Sequence, residues 1–516
     1  MRKKCLLWLT VVAMLISMLQ VPATAESAGT VIFEGEATGK FTNWNQWKDA
    51  LSLNLSRDGI DKALFTSSFS IEVEYEGAAA PVLFLMSWTG GAAKAQVEAS
   101  SAENGVAVFA WRDMLRSYGD DFQHLNAITL RPNGEDVTIR KVTVLPISEE
   151  ELTPVRFEGK AGDWLAAMQT GFNLGNTLES YSTWVGNHQP SEKYETAWGN
   201  PVTTREILQM IYDAGFDTIR IPTTWYPHMD DANNYAIDEE WMARVQEVVD
   251  TSLEIGLRVI LNVQHDTGEN GWLRADLSKM EAQTPKFIRL WQQIAERFRD
   301  YGDELVFEGF NEILDSDSNW NNPTAEACEA VNQLNQIFVD TVRATGGNNA
   351  ERVLIVNPYA ATHDEDALSN FVLPTDTVEG CLIVSFHMYT PINFCFPIPD
   401  GYTETEWENN GGKSAVNTVL NHVYTYLTSK GIPVLMGEFA ASGKENAAQR
   451  CQWAAYAKEQ AAMEGIPCLW WDNGGRISGT AADYRQMGLL DRYTLTWLYP
   501  DLVETITGVR PAAVHE

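Results

Sequence analysis

Little in this chain is equipped to hold a metal, a nucleic acid or a membrane. Its 516 residues include six cysteines, and no Cys-x-x-Cys pair or His-x-x-x-His spacing sets up a zinc site. With Cys5 set aside in the N-terminal segment, Cys328, Cys381, Cys395, Cys451 and Cys468 remain. That odd, scattered set allows two bridges at most and is no disulfide framework. Basic clusters are missing too: 37 Lys and Arg face 70 Asp and Glu, a net charge of −33. Such a surface repels phosphate backbones and anionic lipid heads, so neither nucleic acid nor membrane is expected as a partner. No Gly-x-Gly-x-x-Gly turn follows a strand-like run, which argues against a doubly wound open sheet. No cofactor and no metal is expected. Beyond the N-terminal segment no apolar run is long enough to span a bilayer.

That segment reads as a secretory signal. Arg2, Lys3 and Lys4 are its basic end, residues 5–19 its apolar stretch, and Ala23-Thr-Ala25 its small-x-small cleavage site. Residues 1–25 are therefore expected to be removed from an extracellular protein. A membrane anchor is the alternative, disfavoured by the short run. Cys5 stands early in the segment rather than at its end, which speaks against a lipid anchor.

Tryptophan is abundant, with 18 copies. Flat apolar sugar faces stack on such rings, so the excess leans towards carbohydrate. Residues 30–146 alternate in short period-two runs broken by Gly, Asn and Ser, such as Phe69-Ser-Ile-Glu-Val-Glu-Tyr and Val82-Leu-Phe-Leu-Met. This spacing predicts a β-sandwich, with a helical turn near 114–118. Trp44, Trp47 and Trp88 are candidates for a sugar-stacking platform; Trp111, inside a strand-like run, is assigned to the core. In size, strand pattern and position the region resembles the noncatalytic carbohydrate-binding modules of secreted polysaccharide hydrolases. Residues 147–154, acidic and closed by Pro154, mark a boundary, short enough that the two domains are expected to pack together.

From 155 to 510 the rhythm changes to strands alternating with helices. Continuous apolar runs begin at Gly171, Asp217, Arg258, Leu305, Val353, Leu382, Pro433 and Pro467. Helices are expected at 205–214, 239–255, 284–301, 325–344, 415–429, 445–464 and 498–506. This pattern predicts a (β/α)8 TIM barrel, acting as a monomer, with the N-terminal β-sandwich appended.

In such a barrel the polar residues at the carboxyl ends of the strands line the site. Reading those ends gives Asn173, Arg220, Gln264, His265, Asn311, Glu312, His387, Tyr389, Glu438, and Trp471 with Asp472. Residues 306–312, Val-Phe-Glu-Gly-Phe-Asn-Glu, and 433–438, Pro-Val-Leu-Met-Gly-Glu, are apolar strands that each end in a glutamate. Two carboxylates facing one another are the equipment for cleaving a glycosidic bond. Glu312 is expected to be the proton donor and Glu438 the nucleophile. Arg220 and Tyr389 would keep Glu438 ionised, and its charge would raise the proton affinity of Glu312. Asn311 would bond a sugar hydroxyl, Trp471 would form the floor, and His387 would orient the acid side. Glu308, deeper in its strand, is assigned to packing.

These motifs carry a resemblance. Gly171-Phe-Asn-Leu-Gly-Asn-Thr, Trp198-Gly-Asn-Pro, Ile219-Arg-Ile-Pro, Phe307-Glu-Gly-Phe-Asn-Glu, Ser385-Phe-His-Met-Tyr, Met436-Gly-Glu-Phe and Leu469-Trp-Trp-Asp-Asn look like glycoside hydrolase family five, cellulase family A. The resemblance spans about 165–505 and implies a retaining enzyme with Glu312 as acid/base and Glu438 as nucleophile. It also implies a β-glucan polysaccharide as partner, and β-1,4-glucan cleavage in the manner of an endoglucanase. Xyloglucan, mixed-linkage glucan or mannan are alternatives set by the loops at 315–323 and 390–402. One departure stands out: where the family shows Asn-x-His-His, this chain has Asn262-Val-Gln264-His265. Gln264 keeps hydrogen-bonding capacity but cannot titrate. A carbohydrate-binding barrel with decayed catalysis is the rival reading that this substitution supports.

Overall fold

A computed structural model describes residues 29–41, 48–65, 68–88, 94–118, 122–147, 153–182, 185, 189–396, 404–409, 411–474 and 486–511. The expected signal, Trp44, Trp47 and most of the connection at 147–154 lie outside them. The chain divides into two compact units, one ending at Glu151 and the other beginning at Leu152.

The first unit is a β-sandwich. One antiparallel sheet has the order Thr30–Gly39, Val137–Pro146, Phe69–Gly77, Val106–Phe109, Ser101–Glu103; the other has Leu51–Asn54, Ala127–Arg131, Val82–Met86, Lys94–Val97. Ile71 and Val73 from the first and Leu83, Leu85, Ile128 and Leu130 from the second share one core. Three strands escape the sequence pattern: Leu51–Asn54, Lys94–Val97 and Ser101–Glu103. Each is short, and all three residues of Ser101–Glu103 are exposed, so burial imprints no alternation on it. The expected turn is a full helix, Trp111–Tyr118. Trp111 opens that helix rather than sitting in a strand, and is partly buried at the edge of the core, packing on Phe69 and Phe122 with ring centroids 5.6 and 4.8 Å away. Trp88, by contrast, is 51% exposed.

The second unit is a closed barrel of eight parallel strands: Gly171–Leu174, Thr218–Ile221, Arg258–Asn262, Leu305–Glu308, Leu354–Val356, Leu382–Met388, Val434–Phe439 and Cys468–Asp472. Both faces of each strand are covered, which is why they read as continuous apolar runs. Outward residues such as Val259, Leu261, Phe307 and Met436 pack against the helices. Inward residues of the lower half, Ile260, Val306, Ile355, Ile383, Leu435 and Leu469, form a separate cluster with Trp164 and Leu165 of the helix Gly159–Ala166. That helix precedes the first strand and plugs the barrel floor.

The outer helices follow their signals. In Glu239–Ile255, Asp238 accepts a hydrogen bond from the Glu240 N–H at the start, and Gly256 ends the helix at φ +107°, where a side chain would be strained. The helix expected at 284–301 instead runs Met280–Arg297, with Pro285 inside its second turn. The fifth strand is followed by a short helix, Glu365–Ser369, rather than a long one. All five cysteines after the N-terminal segment are free thiols, four of them buried. No helix among the described residues is long and apolar enough to cross a membrane.

Candidate active site

Above the apolar floor the inward positions turn polar. Two residues beyond Ile260, Val306 and Ile355 come Asn262, Glu308 and Asn357, all buried. Strict alternation does not carry Glu438 into this layer. Leu435 points in and Met436 points out, so Glu438 would face the helices. A register shift in the pairing of the sixth and seventh strands, between Phe386↔Met436 and His387↔Glu438, adds one residue at Gly437 and turns Glu438 inward beside His387. Glycine suits that position because a Cβ there would sit 2.3 Å from Ser385 Oγ.

Arg220, fully buried on the second strand, organises the layer. Its Nη1 donates to Glu438 Oε1 at 2.7 Å and to Asn173 Oδ1 at 2.9 Å. Its Nη2 donates to Asn311 Oδ1 at 2.9 Å, and its Nε to Glu308 Oε2 at 2.6 Å. Asn173 in turn donates to the Gly437 carbonyl at 2.9 Å, so it supports the layer from below. Tyr389 Oη donates to Glu438 Oε2 at 2.6 Å. His387 Nδ1 lies 2.7 Å from Glu312 Oε1 and 3.6 Å from Glu438 Oε2. One carboxylate oxygen of Glu312, one of Glu438 and a ring nitrogen of His387 all lie within 4.8 Å of one another.

These groups open on a cleft of about 620 Å3 lined by Gln264, His265, Asn311, Glu312, His387, Tyr389, Glu438 and Trp471. Eight of the eleven residues taken from the strand ends therefore line one space; Asn173 and Arg220 stand behind it, and Asp472 does not line it. Trp471 approaches closely because Gly175 has no side chain: a Cβ there would be 2.9 Å from the indole. Gln264 accepts a hydrogen bond from Asn262 Nδ2 at 2.6 Å. Trp198, Tyr181 and His265 form an aromatic cluster, with centroids 5.3–5.9 Å apart.

The loop after the fifth strand is absent from the residues expected at the site, yet Ala360, Ala361 and His363 line the cleft. That loop carries Tyr359, His363 and Asp364, but they stand beyond the end of the apolar run, where a reading of strand ends stops. Trp320 also lines it, 41% exposed, its Nε1 donating to Glu269 Oε1 at 3.0 Å. Glu308 is more than packing, since it pairs with Arg220. Asp472 is tied to Arg492 at 2.6 Å and belongs to the scaffold.

The electrostatics separate the two glutamates. Burial is the main force raising Glu312 above its ordinary value; His387 pulls the other way, and the Glu438 charge adds a smaller upward push. Like-charge repulsion, expected to be the cause, is thus secondary to desolvation. Burial also opposes ionisation of Glu438, but His387, Arg220 and the Tyr389 hydrogen bond outweigh it and hold that carboxyl below its ordinary value. Burial works against the His387 cation, yet Glu438 and Glu312 together raise it. Burial lowers His265 to about 4, so it stays neutral across the working range. One acidic group and one ionised carboxylate, side by side in a polar cleft with an aromatic floor, can protonate a leaving oxygen and attack the carbon behind it.

Comparison with known proteins agrees with this arrangement. Residues 178–476 match the family described as cellulase, glycosyl hydrolase family 5, and residues 33–142 match carbohydrate binding module 65 domain 1. The chain is similar to endoglucanase A of Ruminococcus albus, 39% identical over 67% of this chain and 92% of that one. Among solved structures it is similar to a broad-specificity endoglucanase from Ruminococcus champanellensis with bound cellotriose, with TM-score 0.62, 38% identity and coverage of 69% and 100%. It is also similar to a xyloglucan-specific endo-beta-1,4-glucanase from a metagenomic library, with TM-score 0.62, 36% identity and coverage of 68% and 98%. The chain belongs to glycosyl hydrolase family 5.

Proposed function

We propose that this chain is an exported endo-β-1,4-glucanase that hydrolyses internal glucosidic bonds with retention of configuration, Glu438 acting as nucleophile and Glu312 as acid/base. The observation that carries this reading is the approach of the two carboxylates to within 4.8 Å. Direct attack needs carboxyls about 5–5.5 Å apart, whereas room for an attacking water needs roughly 6.5–9.5 Å. In the first step Glu312 protonates the glycosidic oxygen while Glu438 Oε1 or Oε2 bonds to the anomeric carbon, expelling the leaving sugar. Glu438 is then an ester and carries no charge, so the proton affinity of Glu312 falls. Glu312 takes a proton from water, which attacks the same carbon and frees Glu438. Asn311, whose Oδ1 is occupied by Arg220, presents its amide to a sugar hydroxyl. The endo-mode and the β-glucan substrate are supported by the endoglucanase relatives and by a cleft open enough to take a chain. The enzyme works as a monomer without a cofactor.

The N-terminal module binds the same polysaccharide, with Trp88 in its platform. Its backbone N–H is held by Asn126 Oδ1 at 2.7 Å while the ring stays exposed. Glu438→Gln keeps the shape and removes the nucleophile: turnover of soluble cellulose derivatives should fall at least about a thousandfold with an unchanged melting temperature. Retention of more than a few per cent of activity, or an α-anomer appearing first by NMR, would reject the assignment. Reducing-sugar release from β-glucan, xyloglucan, mannan and xylan ranks the substrates.

A further inference from the structure

Arg220 holds more negative charge than it needs. Glu438 alone neutralises it, and Asn173 and Asn311 already occupy two of its remaining N–H groups. Yet a second carboxylate, Glu308, is buried against its Nε at 2.6 Å, with both side chains essentially inaccessible. Burying a charge costs free energy, and a neutral acceptor would satisfy the same N–H. The surplus leaves two carboxylates on one cation. Glu308 does not line the cleft. Its other oxygen is fixed by Asn357 Nδ2 at 3.1 Å, from the end of the fifth strand, so the carboxylate is held at both oxygens.

We propose that Glu308 is a positioning residue for the nucleophile: its carboxylate aims the Arg220 guanidinium at Glu438 and shares that cation's charge. This rests on the assignment of Glu438 and Glu312 above. With the cation shared, Glu438 stays ionised yet keeps electron density for attack, and Glu312 keeps its proton to higher pH. With Glu308 neutral, Arg220 bears on both carboxyls with its full charge. Both then lose protons more readily, and Glu438 becomes the weaker nucleophile.

The test is Glu308→Gln in the full chain. With 2,4-dinitrophenyl β-cellobioside, whose leaving group needs no acid, kcat/KM should fall about tenfold or more. With cellotetraose the alkaline limb of the kcat/KM profile should move to lower pH by roughly half a unit or more, as expected for a lost charge at an effective dielectric near 20. His387 and Tyr389 from the sixth strand and His265 after the third also face these carboxyls. They are unchanged in the variant, so the displacement reports Glu308. Glu308→Asp, which restores the charge, should return the limb towards its original place. A variant that loses thermal stability while keeping its dinitrophenyl rate and both limbs would show that Glu308 only supports the fold. If Glu308→Gln does not fold, Asn357→Ala, which frees the far oxygen of Glu308, should move the limb in the same direction by less; an unmoved limb there counts against the proposal. Glu438→Gln is the control: activity surviving in it defeats the underlying assignment, whereas an inert Glu438→Gln beside an unaffected Glu308→Gln defeats this proposal alone.

Discussion

The floor and the mouth of the barrel are built from the same strands, two to four residues apart, and obey opposite rules. On the floor Ile260, Val306, Ile355, Ile383, Leu435 and Leu469 meet the plug helix in an apolar layer. At the mouth Asn262, Glu308, Asn357, His387 and Glu438 are also buried, yet apart from Asn357 Oδ1 and His387 Nε2 their side-chain polar atoms have hydrogen-bond partners. The floor needs only volume and apolarity, and many residues satisfy both. The mouth needs particular atoms at hydrogen-bond distance, and the bulge at Gly437 is the backbone adjustment that brings one of them in. Stability and chemistry are thereby separated along each strand, and substitutions on either side of the divide should have different signatures.

The largest effect on folding is expected on the floor. Ile355→Ala empties a fully buried position and should destabilise the barrel by roughly 2–5 kcal/mol. Its effect on kcat/KM of the folded fraction should be small. Thermal unfolding alongside activity at a temperature well below the transition separates the two. A large loss of kcat/KM without loss of stability would break the division between floor and mouth.

At the mouth the opposite signature is expected from Tyr389→Phe. It removes the 2.6 Å hydrogen bond to Glu438 while keeping the ring in tilted contact with Phe396, 4.6 Å away between centroids. Stability should change little, and kcat/KM should fall by about 10–100-fold. Glu438 is held below its ordinary value in part by this hydroxyl. Without it the carboxyl protonates more readily, so the acid limb of the profile should move to higher pH. A limb moving downward would mean that Tyr389 does not stabilise the charged form.

The same divide explains what was legible in the sequence. Eight strands buried on both faces leave continuous apolar runs, so the barrel, its order and most helix bounds could be read directly. The strand-end residues could be read because apolar runs stop at them. Partners across the barrel could not. Glu308 sits inside a run and looks like packing, because its counter-ion Arg220 is 88 positions away. The inward turn of Glu438 depends on a bulge that only the pairing with the neighbouring strands reveals. Ala360 and Ala361 line the cleft through backbone placement, at φ 52° and 48°, and side-chain chemistry carries no trace of it.

The smallest effect is expected at Gln264, where the resemblance leads to the expectation of a histidine. Gln264→His tests whether the missing imidazole weakens the site. Glu438 already has Arg220 and Tyr389 at 2.7 and 2.6 Å and His387 at 3.6 Å, and Gln264 bonds to Asn262 instead. A histidine at 264 must accept from Asn262 Nδ2 through one ring nitrogen and present the other, protonated, to the cleft. Burial holds the adjacent His265 neutral, lowered to about 4, and the same desolvation would keep a second imidazole neutral. The variant would exchange one neutral donor for another, without a new charge beside Glu438. kcat/KM on soluble β-glucan should stay within about threefold, less than 1 kcal/mol, and both limbs of the pH profile should stay in place. A gain of tenfold or more would mean that glutamine does weaken the network around Glu438, and a shifted acid limb would mean that the new ring reaches that carboxylate. A loss of similar size would instead make Gln264 a contact adapted to this chain's own substrate.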